Sequence, residues 1–80
     1  MTEQEILAAL TELFRDVFDA PEIVVTRRTS GSDIPDWDSF NNINIILAIE
    51  MRLGVRFSTG DIEKMSNAGD LVDAISAKLR

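Results

Sequence analysis

The sequence predicts an all-α fold: a small four-helix bundle of three main helices and one short helix, with a long loop after the first. Three observations carry that expectation. Apolar residues recur at steps of three and four in separate segments, the pattern of helices that bury one face. A Thr, Ser, Asp or Asn stands ahead of each segment, where its oxygen can cap a helix start. The one strand-like group, Ile23-Val24-Val25, has no second segment to pair with and is expected to pack as extended loop against the helices.

The elements follow in order. Thr2 with Glu5 three places on is a capping-box pattern, and the stripe Ile6, Leu7, Leu10, Phe14, Val17 and Phe18 gives the first helix, ended by Pro21. A long connection runs from Pro21 to Asp36, with breakers at Ser30-Gly31-Ser32 and Pro35. Connections of that length in a small domain are often functional. The second helix is expected from about Ser39 to Leu53, with Gly54 as its stop. It carries two apolar stripes on broadly opposite sides: Phe40, Ile43, Leu47 and Met51 on one, Ile45, Ile46, Ile49 and Leu53 on the other. Asn41, Asn44 and Arg52 form a narrow polar arc, and Asn42 and Glu50 interrupt the rest. A helix in so small a domain can turn only one stripe fully inward.

A short third helix is expected after Ser58, capped by Ser58 and Asp61 and carrying Ile62 and Met65. A fourth begins near Asn67 with Asp70 in its first turn. Leu71, Val72, Ile75 and Leu79 form its buried stripe, and Lys78 and Arg80 suit its negative end.

Composition narrows the function. Residues 1–80 are read as one domain, and a chain of that size buries roughly 60–65% of the surface its unfolded form exposes. The apolar share, 45%, is enough for a core without staples, and there is no cysteine to supply one. With no histidine either, the chain cannot assemble a Ser-His-Asp or Cys-His machine, so catalysis by the isolated protein is not expected. Carboxylates lack metal-loop spacing: Asp36-x-Asp38 stands without the rest of a calcium loop, and no metal ligand is assigned. Fourteen acidic residues against 8 basic give a net charge of −6, which excludes nucleic acid as the expected partner and favours basic surfaces. The opening MTEQEILAAL is acidic where a secretory signal is basic. The uncharged run from Ser39 to Ile49 holds three asparagines and falls short of the ~20 apolar residues of a membrane span. A monomer of the cytoplasm, with no membrane insertion, is the expectation.

The stretch IPDWDSFNNINIILAIE raises the sharpest question. Asp38 and Ser39 both fit a helix N-terminus, where either oxygen can accept from an unpaired backbone N–H. A serine hydroxyl there is also exposed, held on a rigid element and beside partly positive amides that favour an attached phosphate. Such a hydroxyl is a sound phosphodiester anchor and a poor nucleophile without an outside base. Position alone leaves both readings open.

The stretch WDSFNNINIILAIEMRLGVRF resembles the signature of acyl carrier proteins, in which Asp-Ser-Leu opens the second helix. The first amphipathic helix, the long loop, the Asp-Ser helix, the FS…DIEKM segment and the closing NAGDLVDAI helix follow the family's order and spacing across essentially the whole chain. Trp37 before Asp-Ser and the Gly54-Val55-x-Phe57 end make it similar in particular to stand-alone carriers of specialised pathways. The resemblance implies an acyl-carrier-like bundle in which Ser39 receives 4′-phosphopantetheine from coenzyme A, through a separate Mg²⁺-dependent phosphopantetheinyl transferase. Asp38 matches the acidic neighbour implicated in transferase recognition. It implies further partners: an acyl-loading ligase or transferase, and synthase or acyltransferase enzymes of fatty-acid- or polyketide-like biosynthesis. Ile45, Ile46, Ile49 and Leu53 would then pack inward, while Phe40, Asn41, Ile43, Asn44, Leu47 and Met51 face partners.

Two departures qualify the resemblance. Phe40 replaces the family's leucine, and Asn41 and Asn44 stand where acidic residues are common. Charge steering by the second helix should therefore be weaker, which points to a dedicated partner set and away from the general fatty-acid carrier. Two rivals stay in view: an aminoacyl or D-alanyl carrier, and an unmodified helical protein–protein docking module in which Ser39 is only a cap. Elsewhere, Trp37 is expected to pack over the loop, Arg27 and Arg28 to form a solvated pair, Arg52 and Arg56 to lie on the surface, and Met51 and Met65 to pack in or beside the core.

Overall fold

Capping chemistry sets the helix starts. The computed structural model describes residues 1–79 and contains, among them, four helices and no strand: α1 (Glu3–Phe18), α2 (Ser39–Leu53), α3 (Thr59–Glu63) and α4 (Ala68–Lys78). Reciprocal capping boxes open α1 (Thr2 with Glu5) and α3 (Ser58 with Asp61), each satisfying two otherwise unpaired amides. Asn67 caps α4 by accepting the Asp70 N–H. α1 ends at Asp19, which adopts a left-handed conformation (φ 50°) that aspartate tolerates better than most residues, two positions before Pro21. α2 ends at Gly54 in the same region (φ 68°), where the missing Cβ removes the steric cost.

One core joins the helices. Ile6, Leu10, Leu13 and Phe14 of α1 meet Ile45, Ile46 and Ile49 of α2 and Ala68, Leu71, Val72 and Ile75 of α4. α1 packs on both α2 and α4. Leu13 belongs to this core although the three-and-four stripe had passed over it. Leu79, expected in the α4 stripe, is the exposed C-cap: the helix has turned its last apolar position past the core edge. Arg80 lies outside the described residues.

The long first loop is bound down along its length. Ile23, Val24 and Val25 are extended without strand pairing, as expected. The Val25 N–H donates to Thr11 Oγ1 (3.1 Å), and Arg15 Nε donates to the Ile23 carbonyl (2.7 Å), so Val25 is buried while Val24 faces out. Further on, the loop acts as a cap for another helix. The Ala68 N–H donates to the Thr29 carbonyl (2.8 Å) and the Gly69 N–H to the Arg27 carbonyl (3.0 Å). A side chain at Gly69 would meet that Arg27 oxygen at 2.9 Å, so only glycine permits the approach. Arg27 is not the solvated loop residue expected: its guanidinium bridges Glu3 of α1 and Asp73 of α4 (3.0 Å). Arg52 is likewise paired, with Asp16 of α1. The loop thereby delivers Gly31 and Trp37 beside the start of α2.

Candidate functional site

At the mouth of α2 the two candidate cap residues have separate tasks. Asp38 is extended (φ −103°, ψ −174°), and its carboxylate accepts the Asn41 N–H at 2.8 Å; its carbonyl accepts the Asn42 N–H, also at 2.8 Å. Asp38 is the cap. Ser39 is the first helical residue, exposed, and no hydrogen bond among the described residues engages its hydroxyl. The amides of Ser39 and Phe40 remain the unpaired donors of the first turn, directed out of the helix end. An ester phosphate on Ser39 would meet those donors and the positive end of the helix dipole.

Beside Ser39 lies an open depression of about 310 Å³, lined by Gly31, Trp37, Asp38, Ser39, Asn42, Met65 and Ser66. Trp37 forms its inner wall. The ring packs edge-on against the buried Phe14 (centroids 4.9 Å apart), and the indole Nε1–H donates to Asn42 Oδ1 at 2.9 Å. Packing over the loop, expected of Trp37, is what the structure gives. The role of Asn42 was not read from the sequence, although a polar residue interrupting an apolar helix was its signal. Met65 and Ser66 had no such signal, since they reach the site only through the path of the chain after α3. Met65 packs against the core as expected.

The apolar face of α2 divides as its two stripes imply. Ile45, Ile46 and Ile49 are buried and Leu53 is partly so, whereas Phe40, Ile43, Leu47 and Met51 are 75%, 58%, 52% and 86% exposed. Met51 does not pack in or beside the core. Its position on the outer stripe carries it away from α1 and α4. Of the flanking amides, Asn41 is partly occupied within the chain: its Nδ2 donates to the Asp36 carbonyl (2.7 Å) and its Oδ1 accepts from Asn44 Nδ2 (3.3 Å). Asn44 is exposed. Glu50 turns inward, its carboxylate accepting the Phe57 N–H at 2.9 Å. No acidic residue lies in the first turn of α2. Among the described residues no group of three or more His, Cys, Asp or Glu side chains is placed to hold a metal ion. No helix of the described residues is long and apolar enough to cross a membrane.

Comparison with known proteins identifies the family of this bundle, with its exposed apolar stripe on α2 beside a free helix-mouth hydroxyl. No family profile matches the chain. It is 30% identical over 76 residues to an acyl carrier protein of Acidothermus cellulolyticus, covering 95% of this chain and 90% of that one. It is 37% identical over 76 residues to the acyl carrier protein MbtL of Mycobacterium sp. (strain MCS), covering 95% and 85%. The solution structure of a holo acyl carrier protein from Geobacter metallireducens superposes with a TM-score of 0.86 at 45% identity, over 91% of this chain and 84% of that one. The chain belongs to the acyl carrier protein family. It is a non-catalytic carrier, and its all-helical fold is the family's.

Proposed function

We propose that Ser39 carries 4′-phosphopantetheine and that the protein presents an acyl unit to the enzymes of a specialised biosynthetic route in the cytoplasm, as residues 1–80 acting as one domain. One observation carries the reading: Asp38 has taken the capping task, which leaves the Ser39 hydroxyl exposed and unengaged at the positive end of α2. In attachment, the Ser39 oxygen forms the new phosphoester bond while the pyrophosphate linkage of coenzyme A breaks and bisphosphorylated adenosine leaves. The hydroxyl proton passes to the phosphopantetheinyl transferase, because this chain has no histidine or cysteine to receive it. Asp38, adjacent and exposed, is the carboxylate available for transferase recognition. Once bound, the group supplies a flexible arm ending in a thiol that holds cargo as a thioester and raises its effective concentration at successive enzymes.

The specialised route rests on the surface of α2. An acyl-loading ligase or transferase, and the synthase or acyltransferase enzymes downstream, would meet Phe40, Ile43, Leu47 and Met51 flanked by Asn41 and Asn44. Their grip would be apolar, with little charge steering from the first turn.

Intact mass before and after incubation with coenzyme A, Mg²⁺ and a broad-specificity phosphopantetheinyl transferase tests the attachment. The expected result is a gain of one phosphopantetheine in the native chain and none in Ser39→Ala. A folded, bare chain that gains nothing would leave the exposed α2 stripe as the functional feature and favour the docking module.

A further inference from the structure

The residues leading into Ser39 are Asp36, Trp37 and Asp38, and the first turn of α2 reaches back to hold them. The peptide unit between Asp36 and Trp37 is fixed at both ends. Its N–H donates to the Ile34 carbonyl (2.9 Å), and its oxygen accepts from Asn41 Nδ2 (2.7 Å). A donor on the oxygen polarises the peptide and makes its N–H a better donor in turn, so the two bonds support each other. Next along the chain, the Trp37 indole donates to Asn42 Oδ1 (2.9 Å), and the Asp38 carboxylate accepts the Asn41 N–H (2.8 Å). The Asn41 carboxamide is oriented from its far side as well, because its Oδ1 accepts from Asn44 Nδ2 (3.3 Å). That contact leaves Nδ2 to face the Asp36 carbonyl. A carboxylate at this position has no proton to offer and would set oxygen against oxygen. Asp36 and Asp38 are exposed, so little besides these bonds keeps the turn in one conformation. A partner that had to order the backbone of even one such residue would lose about ten-fold in affinity.

We propose that Asn41 is a positioning residue for the transferase reaction at Ser39: through the Asp36 carbonyl it holds the Asp36–Asp38 turn in its bound shape before the transferase arrives. This rests on Ser39 being the attachment point. Asn41 acts from within the chain, by its grip on the turn and not by a contact of its own with the transferase. The reaction therefore needs the neutral amide at this position, and an acid does not replace it.

Asn41→Asp is the sharpest test, because it keeps the shape, removes the donor and adds a charge that basic surfaces attract. Asn41→Ala removes the donor without adding charge. Initial rates of modification by the broad-specificity transferase, with coenzyme A and Mg²⁺, are measured against carrier concentration. Both variants should raise KM about ten-fold. Their kcat should stay near the native value, since Ser39 keeps its place on α2 and the transferase orders the turn once bound. Amide exchange in the free chains, followed by NMR, supplies a second readout. The Trp37 N–H, which shares its peptide with the gripped carbonyl, should exchange about ten-fold faster in both variants. The Ile49 N–H, inside α2, should keep its native rate; an equal acceleration there would make the effect one of general stability and overturn the proposal. Native or lower KM in Asn41→Asp overturns it too, because residue 41 would then act through its own contact with the transferase. So does a Trp37 amide that exchanges at its native rate, or a fall in kcat at unchanged KM. All of these leave the attachment at Ser39 intact. No mass gain in the native chain would instead remove the attachment itself, and this role of Asn41 with it.

Discussion

Asp38 and Ser39 are chain neighbours whose side chains could be exchanged on paper, and only the backbone separates them. Extended geometry at Asp38 aims its carboxylate at the Asn41 amide, and that leaves Ser39 with helical geometry and an idle hydroxyl. Removing the cap should therefore cost stability and removing the hydroxyl should not. Asp38→Ala is expected to lose about 1 kcal/mol in urea unfolding, with Ser39→Ala close to the native chain. Equal losses, or a larger loss in Ser39→Ala, would return the cap to the serine. The capping boxes at Thr2/Glu5 and Ser58/Asp61 were legible in the sequence because each pairs two residues at a fixed spacing of three. The choice between Asp38 and Ser39 was not, since both chemistries fit and the deciding dihedral angles depend on how the preceding loop arrives. Trp37 was legible as a packing residue, but its Asn42 partner was marked only as a polar interruption in an apolar helix.

α3 is only five residues long, buries no residue fully, and holds its place by its ends. Asp61 is central to this. Its carboxylate accepts the Ser58 N–H at 2.9 Å and receives Lys78 of α4 at 3.0 Å, while the Lys78 ammonium also stands over the Phe57 ring at 5.6 Å. The Ser58 amide first, and then Lys78, hold the Asp61 carboxyl at about 2, below its ordinary 3.8. A carboxyl held low in the folded state binds its proton more readily in the unfolded chain. Its contribution is thus complete above about pH 4 and lost as the pH falls toward 2. Thermal melts of the native protein and Asp61→Asn should differ at neutral pH and converge across that interval. A gap that persists unchanged at pH 2 would show that the carboxylate charge is not the source. Element starts were readable from local spacing, whereas the attachments between elements were not. Arg27 looked like half of a solvated pair because its carboxylate partners lie 24 and 46 residues away, on helices whose approach no short stretch of sequence encodes.

Across the whole molecule, a net charge of −6 coexists with a principal exposed face that is apolar and, in its first turn, free of acid. Glu50, the one acidic residue of α2, spends its carboxylate on the Phe57 amide. The bulk charge therefore says little about how a partner grips this carrier. Phe40→Ala and Met51→Ala should keep the native melting temperature, because both side chains lie mostly in water. Each should weaken transfer to and from a cognate partner, by an amount that changes little between low and high salt. A steep salt dependence of that transfer would place the grip on the acidic remainder of the surface. The helix-mouth arrangement also shapes the protein's life history. Because the bond that starts α2 belongs to Asp38, Ser39 can gain or lose its substituent without any part of the fold being made or unmade. Bare and loaded chains should therefore share one fold, the loaded chain unfolding no faster than the bare one, and freshly synthesised protein is already folded when its transferase arrives.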